Sequence, residues 1–163
     1  MNNSSRERKK YERDLKKYER ELRAYDYIQQ ALKHESLGDL KCAVGYLRRA
    51  AELNSIYAQT TLATILDDKI KPAQVSEARY WYKRAVRAGD HNAAWDLAMH
   101  YGARQNLRWY LYWLNVAEKM GDPDANEEKK KKTWWKKFER RNAEAVGVKL
   151  KRKILPNQSE PPS

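Results

Sequence analysis

The chain has 163 residues, with 34 Lys and Arg against 22 Asp and Glu, a net charge of +12 and a single cysteine. This length favours one domain, and one cysteine cannot form an intrachain disulfide, so nothing indicates an oxidising compartment. No apolar run approaches the length of a membrane span, and the charged start lacks the apolar stretch of a secretion signal. We therefore expect a cytoplasmic protein.

The positive charge is unevenly distributed along the chain. Residues 1–23 carry nine basic and five acidic side chains, and residues 24–122 carry thirteen and eleven. Residues 123–155 carry twelve basic and five acidic side chains. The central body is therefore almost neutral, and any attraction to an acidic partner should act through the two flanks.

A long helix is predicted from about Ser5, because no Gly or Pro interrupts the chain before Gly38. Its apolar residues step by 4, 3, 4 and 3, which places them on one face. This stripe has three interpretations: packing on the rest of the chain, pairing with a second copy, or docking on a partner. Tyrosines at the seam disfavour a tight two-stranded coil. The stripe consists of Tyr11, Leu15, Tyr18, Leu22 and Tyr25.

The central body contains a segment that nearly recurs. Residues 43–66 align with residues 78–101 at a shift of 35, and a weaker third copy follows 32 places later. Such a period of small and large apolar residues is typical of stacked helical repeats, in which each unit buries its face against its neighbours. Ala43, Ala50, Ala58, Leu62 and Ala63 fall on Ala78, Ala85, Ala93, Leu97 and Ala98, and Trp113, Ala117, Gly121, Asp122 and Ala125 form the third copy.

Apolar periodicity predicts five helices in this body, at residues 40–53, 57–66, 77–88, 91–101 and 107–120. Gly89 and Gly121 are natural left-handed stops for two of them. Residues 67–76 are expected to form a polar connection. The broad side chains of Trp81, Tyr82 and Trp113 are expected in the core, as is the small side chain of Cys42.

The segment after Gly121 departs from the repeat. Pro123 opens a further helix, and residues 123–147 are interpreted as a basic, aromatic capping helix before a disordered tail at 148–163. Its cations present either a solvated face or a site for nucleic acid, an acidic protein or an anionic membrane surface. The basic patch comprises Lys129, Lys130, Lys131, Lys132, Lys136, Lys137, Arg140 and Arg141.

The chain resembles two related families. Gly38, Asp39, Leu40, Ala43, Leu47 and Ala50 resemble the second half of a tetratricopeptide repeat, and Ala78, Trp81, Tyr82, Ala85 and Gly89 resemble its Sel1-like variant. The resemblance implies an all-α solenoid of about three helix pairs over residues 24–122, preceded by a charged arm at residues 1–23. It also implies a concave groove lined by the first helix of each pair. By register this groove comprises Tyr25, Ile28, Leu32, Tyr57, Thr60, Thr64, Asn92, Trp95 and Met99.

Catalysis finds little support in the sequence. His34, His91 and His100 have no spaced Cys, His or carboxylate typical of a metal set, and no Gly-rich phosphate loop is present. We therefore expect no enzyme, metal or cofactor. The predicted function is a protein–protein interaction adaptor whose basic flanks steer an acidic partner. The alternatives are a nucleic-acid-associated accessory protein and a small inhibitor or immunity-type protein.

Overall fold

A computed structural model describes the backbone of residues 3–131 and the side chains of residues 5–130. Every regular element in that range is helical, and it contains no strand, so the predicted all-α class is confirmed for the described residues. The disordered tail predicted at 148–163 and most of the predicted capping helix lie outside this range.

Seven α-helices follow one another along residues 3–131. Side chains cap five of them, with Asp39, Ser55, Asp90, Asn106 and Asp122 accepting hydrogen bonds from backbone N–H groups of the first turn. Gly89 and Gly121 take positive φ angles of 99° and 90° after their helices, as predicted. The helices are α1 (Asn3–Ser36), α2 (Leu40–Glu52), α3 (Ile56–Thr64), α4 (Val75–Arg87), α5 (His91–Ala103), α6 (Leu107–Lys119) and α7 (Pro123–Lys131).

The expected polar connection at residues 67–76 is shorter than predicted. A π-helical turn, Ile65–Lys69, extends α3, and α4 already begins at Val75. Ile65 and Leu66 are buried in the core, and Asp67 is buried against side chains of α5. The side chains that contact Asp67 lie more than thirty residues away in sequence. The polar composition of the segment therefore did not predict that part of it is helical and buried.

Small side chains bring successive helices together. Each helix packs mainly against the next in chain order, and α3 also contacts α5. Ala50, Ala85 and Ala117, which are equivalent in the three aligned copies, are all fully buried. The predicted core positions Trp81, Tyr82 and Trp113 are buried as well. Cys42 is exposed, so its predicted place in the core is wrong: the adjacent Ala43 takes the inward position on α2.

The first five turns of α1 project from the rest of the structure. All side chains from residue 5 to residue 23 are exposed, whereas Ala24 and Ala31 further along the helix are buried against the body. The apolar stripe on this arm is 44–69% exposed. Packing of the stripe on the body is therefore not found among the described residues.

Replacing either of two helical glycines with alanine should change the stability of the protein, in opposite directions at the two positions. A Cβ at Gly102 would lie 2.9 Å from the ring of buried Tyr110, whereas a Cβ at Gly45 meets nothing within 4 Å. We expect Gly102→Ala to lower the free energy of unfolding by about 1–3 kcal/mol through overpacking. Gly45→Ala should raise it by about 0.5–1 kcal/mol, because alanine has the better helix propensity. Urea unfolding monitored by circular dichroism measures both, and destabilisation by both variants alike would contradict this packing.

Candidate partner-binding surface

The nine residues predicted to line a groove lie on the first helix of each pair, and we call them the first-helix surface. Four of them are exposed and available for contact: Tyr25 and Leu32 on α1, Tyr57 on α3 and Asn92 on α5. The other five, Ile28, Thr60, Thr64, Trp95 and Met99, are half-buried. The surface therefore mixes residues that are free to bind with residues that also hold the fold together.

Two of the three threonines of α3, Thr60 and Thr64, connect this helix to its neighbours. Thr60 Oγ1 donates to Asp90 Oδ2 at 2.5 Å, and the Tyr82 hydroxyl donates to Thr64 Oγ1 at 3.2 Å. Their hydroxyl groups are thus engaged in inter-helix hydrogen bonds. Substituting either threonine would disturb the fold before it disturbed a binding surface.

The most chemically distinctive part of the surface lies on α5. Trp95 and Met99 are half-buried against the core, and Asp96 is half-buried between them in sequence. Burial raises the pKa of the Asp96 carboxyl to about 6, and the negative charges of Asp90 and Asp68 add to the effect. Among the described residues no hydrogen bond or ion pair reaches this carboxylate, so a cation from outside could stabilise its charge.

Sequence reasoning missed Asp96. The available signal was that Asp96 is the only carboxylate in the otherwise apolar and neutral helix α5. A charged residue within an apolar helix suggests either a buried partner or an external one. Only the structure shows that the nearby charges are other aspartates and not a lysine or arginine.

Buried Asp67 in the π-helical turn contacts two side chains at the end of α5, buried His100 and exposed Arg104. Asp67 Oδ2 lies 2.7 Å from His100 Nδ1, and Asp67 Oδ1 accepts from Arg104 Nη2 at 2.5 Å. Burial lowers the pKa of His100, and His100 Nε2 has no hydrogen-bond partner among the described residues. A neutral ring that donates from Nδ1 fits both facts, because its bare Nε2 then buries no N–H. The contact between Asp67 and His100 is closed to solvent and holds the π-helical turn against α5.

The turn between α1 and α2 gathers three groups that could ligate a metal. One ligand atom each from His34, Asp39 and Cys42 lies within 4.8 Å of the others, a juxtaposition that sequence spacing did not indicate. Structural roles account for these residues. Asp39 caps α2 and lies 3.3 Å from His34, whose ring stacks on Tyr46. The hydrogen bond to Asp39 raises the pKa of the Cys42 thiol, which disfavours the thiolate a metal would need.

Only the beginning of the predicted basic patch falls within the described residues. Lys129 Nζ donates to Asn115 Oδ1 at 2.6 Å and to Glu118 Oε2 at 2.5 Å, which fixes it against α6. Lys130 is exposed. The side chains of the remaining six members lie outside the described residues.

Comparison with known proteins adds no identification. No protein-family model matches the chain, and neither a curated protein nor a solved structure resembles it significantly. The tetratricopeptide and Sel1-like resemblance therefore stays a prediction that rests on the residues quoted above. Within the described part of the chain, no helix has the length and apolar character needed to cross a bilayer.

Because its surroundings disfavour the charged form of Asp96, replacing this residue with a neutral one should stabilise the protein at a pH where Asp96 is ionised. Folding raises the Asp96 pKa from 3.8 to about 6, so the folded state binds this proton more tightly and loses stability as Asp96 ionises. Asp96→Asn should therefore change the free energy of unfolding little at pH 4. At pH 7.5 the substitution should raise the free energy of unfolding by about 1 kcal/mol, a value that allows for solvent screening.

Urea unfolding at the two pH values measures this difference. Asp14→Asn, on the exposed arm, controls for the loss of one negative charge. An equal gain at both pH values would show that Asp96 is not destabilised by ionisation.

Proposed function

We propose that this protein is a non-enzymatic interaction module that binds a protein segment on its first-helix surface. The observation that carries the proposal is the combination on α3 and α5 of exposed Tyr57, half-buried Trp95 and Met99, and the unpaired carboxylate of Asp96. Aromatic residues and Met are favoured as anchors at binding interfaces. A carboxylate among them would orient a cationic side chain of the bound segment.

Charge outside this surface would act over a longer range. Residues 1–23 and 123–155 hold almost all of the positive excess, while residues 24–122 are nearly neutral. Cationic flanks would attract an acidic partner and raise its association rate, whereas local contacts on α3 and α5 would fix its position. The proposed partner is therefore acidic overall, with a basic residue at the point that meets Asp96.

Association with nucleic acid through the basic patch is the second candidate. The sequence favours it, because cations at positions 129–132, 136–137 and 140–141 surround Trp134, Trp135 and Phe138. Lys129 already has partners within the fold, so the exposed part of such a site would begin at Lys130. Loss of captured partners on nuclease treatment would favour this candidate over the adaptor.

Two tyrosines of equal exposure can distinguish binding at the first-helix surface from binding elsewhere on the protein. Tyr57 on α3 and Tyr80 on α4 are both 54% exposed, but only Tyr57 belongs to the proposed surface. We expect Tyr57→Ala to weaken partner binding by about 30-fold, which corresponds to a hot-spot loss of about 2 kcal/mol. Tyr80→Ala should leave binding within about twofold.

Affinity capture from the native cell after nuclease treatment supplies the partner, and calorimetry with the purified partner supplies the two affinities. Equal loss in both variants would remove the first-helix surface from the proposal.

Steering by the flanks predicts salt-dependent association. Raising the ionic strength shortens the screening length from about 10 Å at 0.1 M to about 3 Å at 1 M. We expect the association rate with the purified partner to fall at least tenfold over this range, with a smaller change in the dissociation rate. Surface plasmon resonance measures both rates, and an association rate that ignores salt would contradict an acidic partner.

A further inference from the structure

The projecting arm of α1 carries a regular heptad stripe with no partner in the described structure. Leu15 and Leu22 occupy a positions, and Tyr11, Tyr18 and Tyr25 occupy d positions of the heptad abcdefg. These five side chains, which we call the arm seam, are 44–69% exposed. The buried positions of α1, Ala24 and Ala31, lie on the opposite side of the helix, so the seam faces away from the body.

The charges of the arm are sorted by face. Between residues 9 and 26 every e and g position beside the seam is acidic, and the b, c and f positions are basic except for Ala24. The acidic residues are Glu12, Asp14, Glu19, Glu21 and Asp26, and the basic residues are Lys9, Lys10, Arg13, Lys16, Lys17, Arg20 and Arg23. The arm is cationic in total, but what borders its apolar stripe is anionic.

Pairs within the helix do not cancel these anionic borders. Arg8 lies 3.3 Å from Glu12, and Lys17 lies 3.8 Å from Glu21, and all four side chains are more than half exposed. Exposed pairs of this kind contribute little and exchange readily for other partners. The carboxylates beside the seam therefore stay available to an incoming helix.

Charge placement argues against two occupants of the seam. In a parallel pair of identical helices g faces e, and in an antiparallel pair e faces e and g faces g, so a second copy would set acid against acid in both arrangements. An anionic membrane would also meet these carboxylates at the edge of the apolar stripe, where surface-binding helices carry Lys and Arg. A basic border on the incoming element removes the repulsion.

We propose that the arm seam binds one amphipathic helix of a protein partner, with apolar a and d positions and Lys or Arg at its e and g positions. The result is a heteromeric pair of helices over two to three heptads, packed less tightly than a coil with branched aliphatic residues throughout, because tyrosine occupies the d positions. The acidic borders select the partner by charge, and the Leu and Tyr side chains supply the apolar contact. The arm seam shares only Tyr25 with the first-helix surface, whose proposed anchors lie on α3 and α5. Variants at Leu15 and Leu22 leave those anchors unchanged, so this proposal can fail while the proposed function holds.

Two matched synthetic peptides test the proposal on the full chain. Both have three heptads with Leu at a and d; one has Lys and the other Glu at e and g. Fluorescence anisotropy at 0.1 M salt should show the Lys peptide binding at least tenfold more tightly than the Glu peptide. No binding of the Lys peptide, or equal binding of the two, would overturn the proposal.

Variants on the exposed arm separate seam contact from nonspecific charge attraction. Leu15→Gln with Leu22→Gln should weaken the Lys peptide at least tenfold, because the apolar contact is lost. Arg13→Gln with Arg20→Gln, on the outer face, should not weaken it. Glu12→Lys, Glu19→Lys and Glu21→Lys together should reverse the preference in favour of the Glu peptide. A Lys peptide that binds the double Leu variant as tightly as the unchanged protein would show attraction by charge alone.

The other occupants give distinct results. Sedimentation of the full chain that shows a dimer abolished by the double Leu variant would assign the seam to a second copy. Cosedimentation with phosphatidylserine vesicles, lost in the same variant, would assign it to a membrane surface. Either outcome overturns the proposal, and circular dichroism of each variant verifies that the helices remain folded.

Discussion

Close contact between successive helices depends on small side chains at regular positions, and the rest of the structure depends on that contact. Fully buried alanines such as Ala50, Ala85 and Ala117 let neighbouring helix backbones approach. At Gly102 even a methyl group would meet the ring of Tyr110. The large residues, including Leu62 and Leu97, fill the remaining space and are fully buried.

Polar contacts join each helix pair to the next and fix their register. Arg48 binds Glu77 through two hydrogen bonds across 29 residues, and His91 Nδ1 lies 3.0 Å from Asp122 across 31. The Arg48–Glu77 ion pair joins partly exposed side chains and adds modest stability. The buried carboxylate of Asp67 is different, because removing its partners would leave a charge without compensation in the interior. The same contacts decide which side chains remain free to bind other molecules.

The net charge of the chain differs in sign from the charge found at individual candidate contact surfaces. The chain is +12 overall, yet the carboxylate on α5 is surrounded by aspartates and the apolar stripe of the arm has acidic borders. Long-range attraction follows the total charge within a screening length, whereas desolvated contacts follow the few charges that a partner meets. An acidic partner with local basic elements satisfies both scales.

The sequence alone determined the helices, most of their ends and the main core positions. Apolar periodicity, capping residues and left-handed glycines are local signals, and they located α2, α5 and α6 to within two residues. The exposure of Cys42 follows from its place beside Ala43, which takes the inward position on α2. The π-helical turn at Asp67 and the unpaired state of Asp96 were decided by tertiary structure. Each depends on which side chains arrive from helices about thirty residues away, and no local pattern encodes that. The projection of the arm was decided in the same way, because a periodic stripe indicates which face of a helix is apolar and not whether another element covers it.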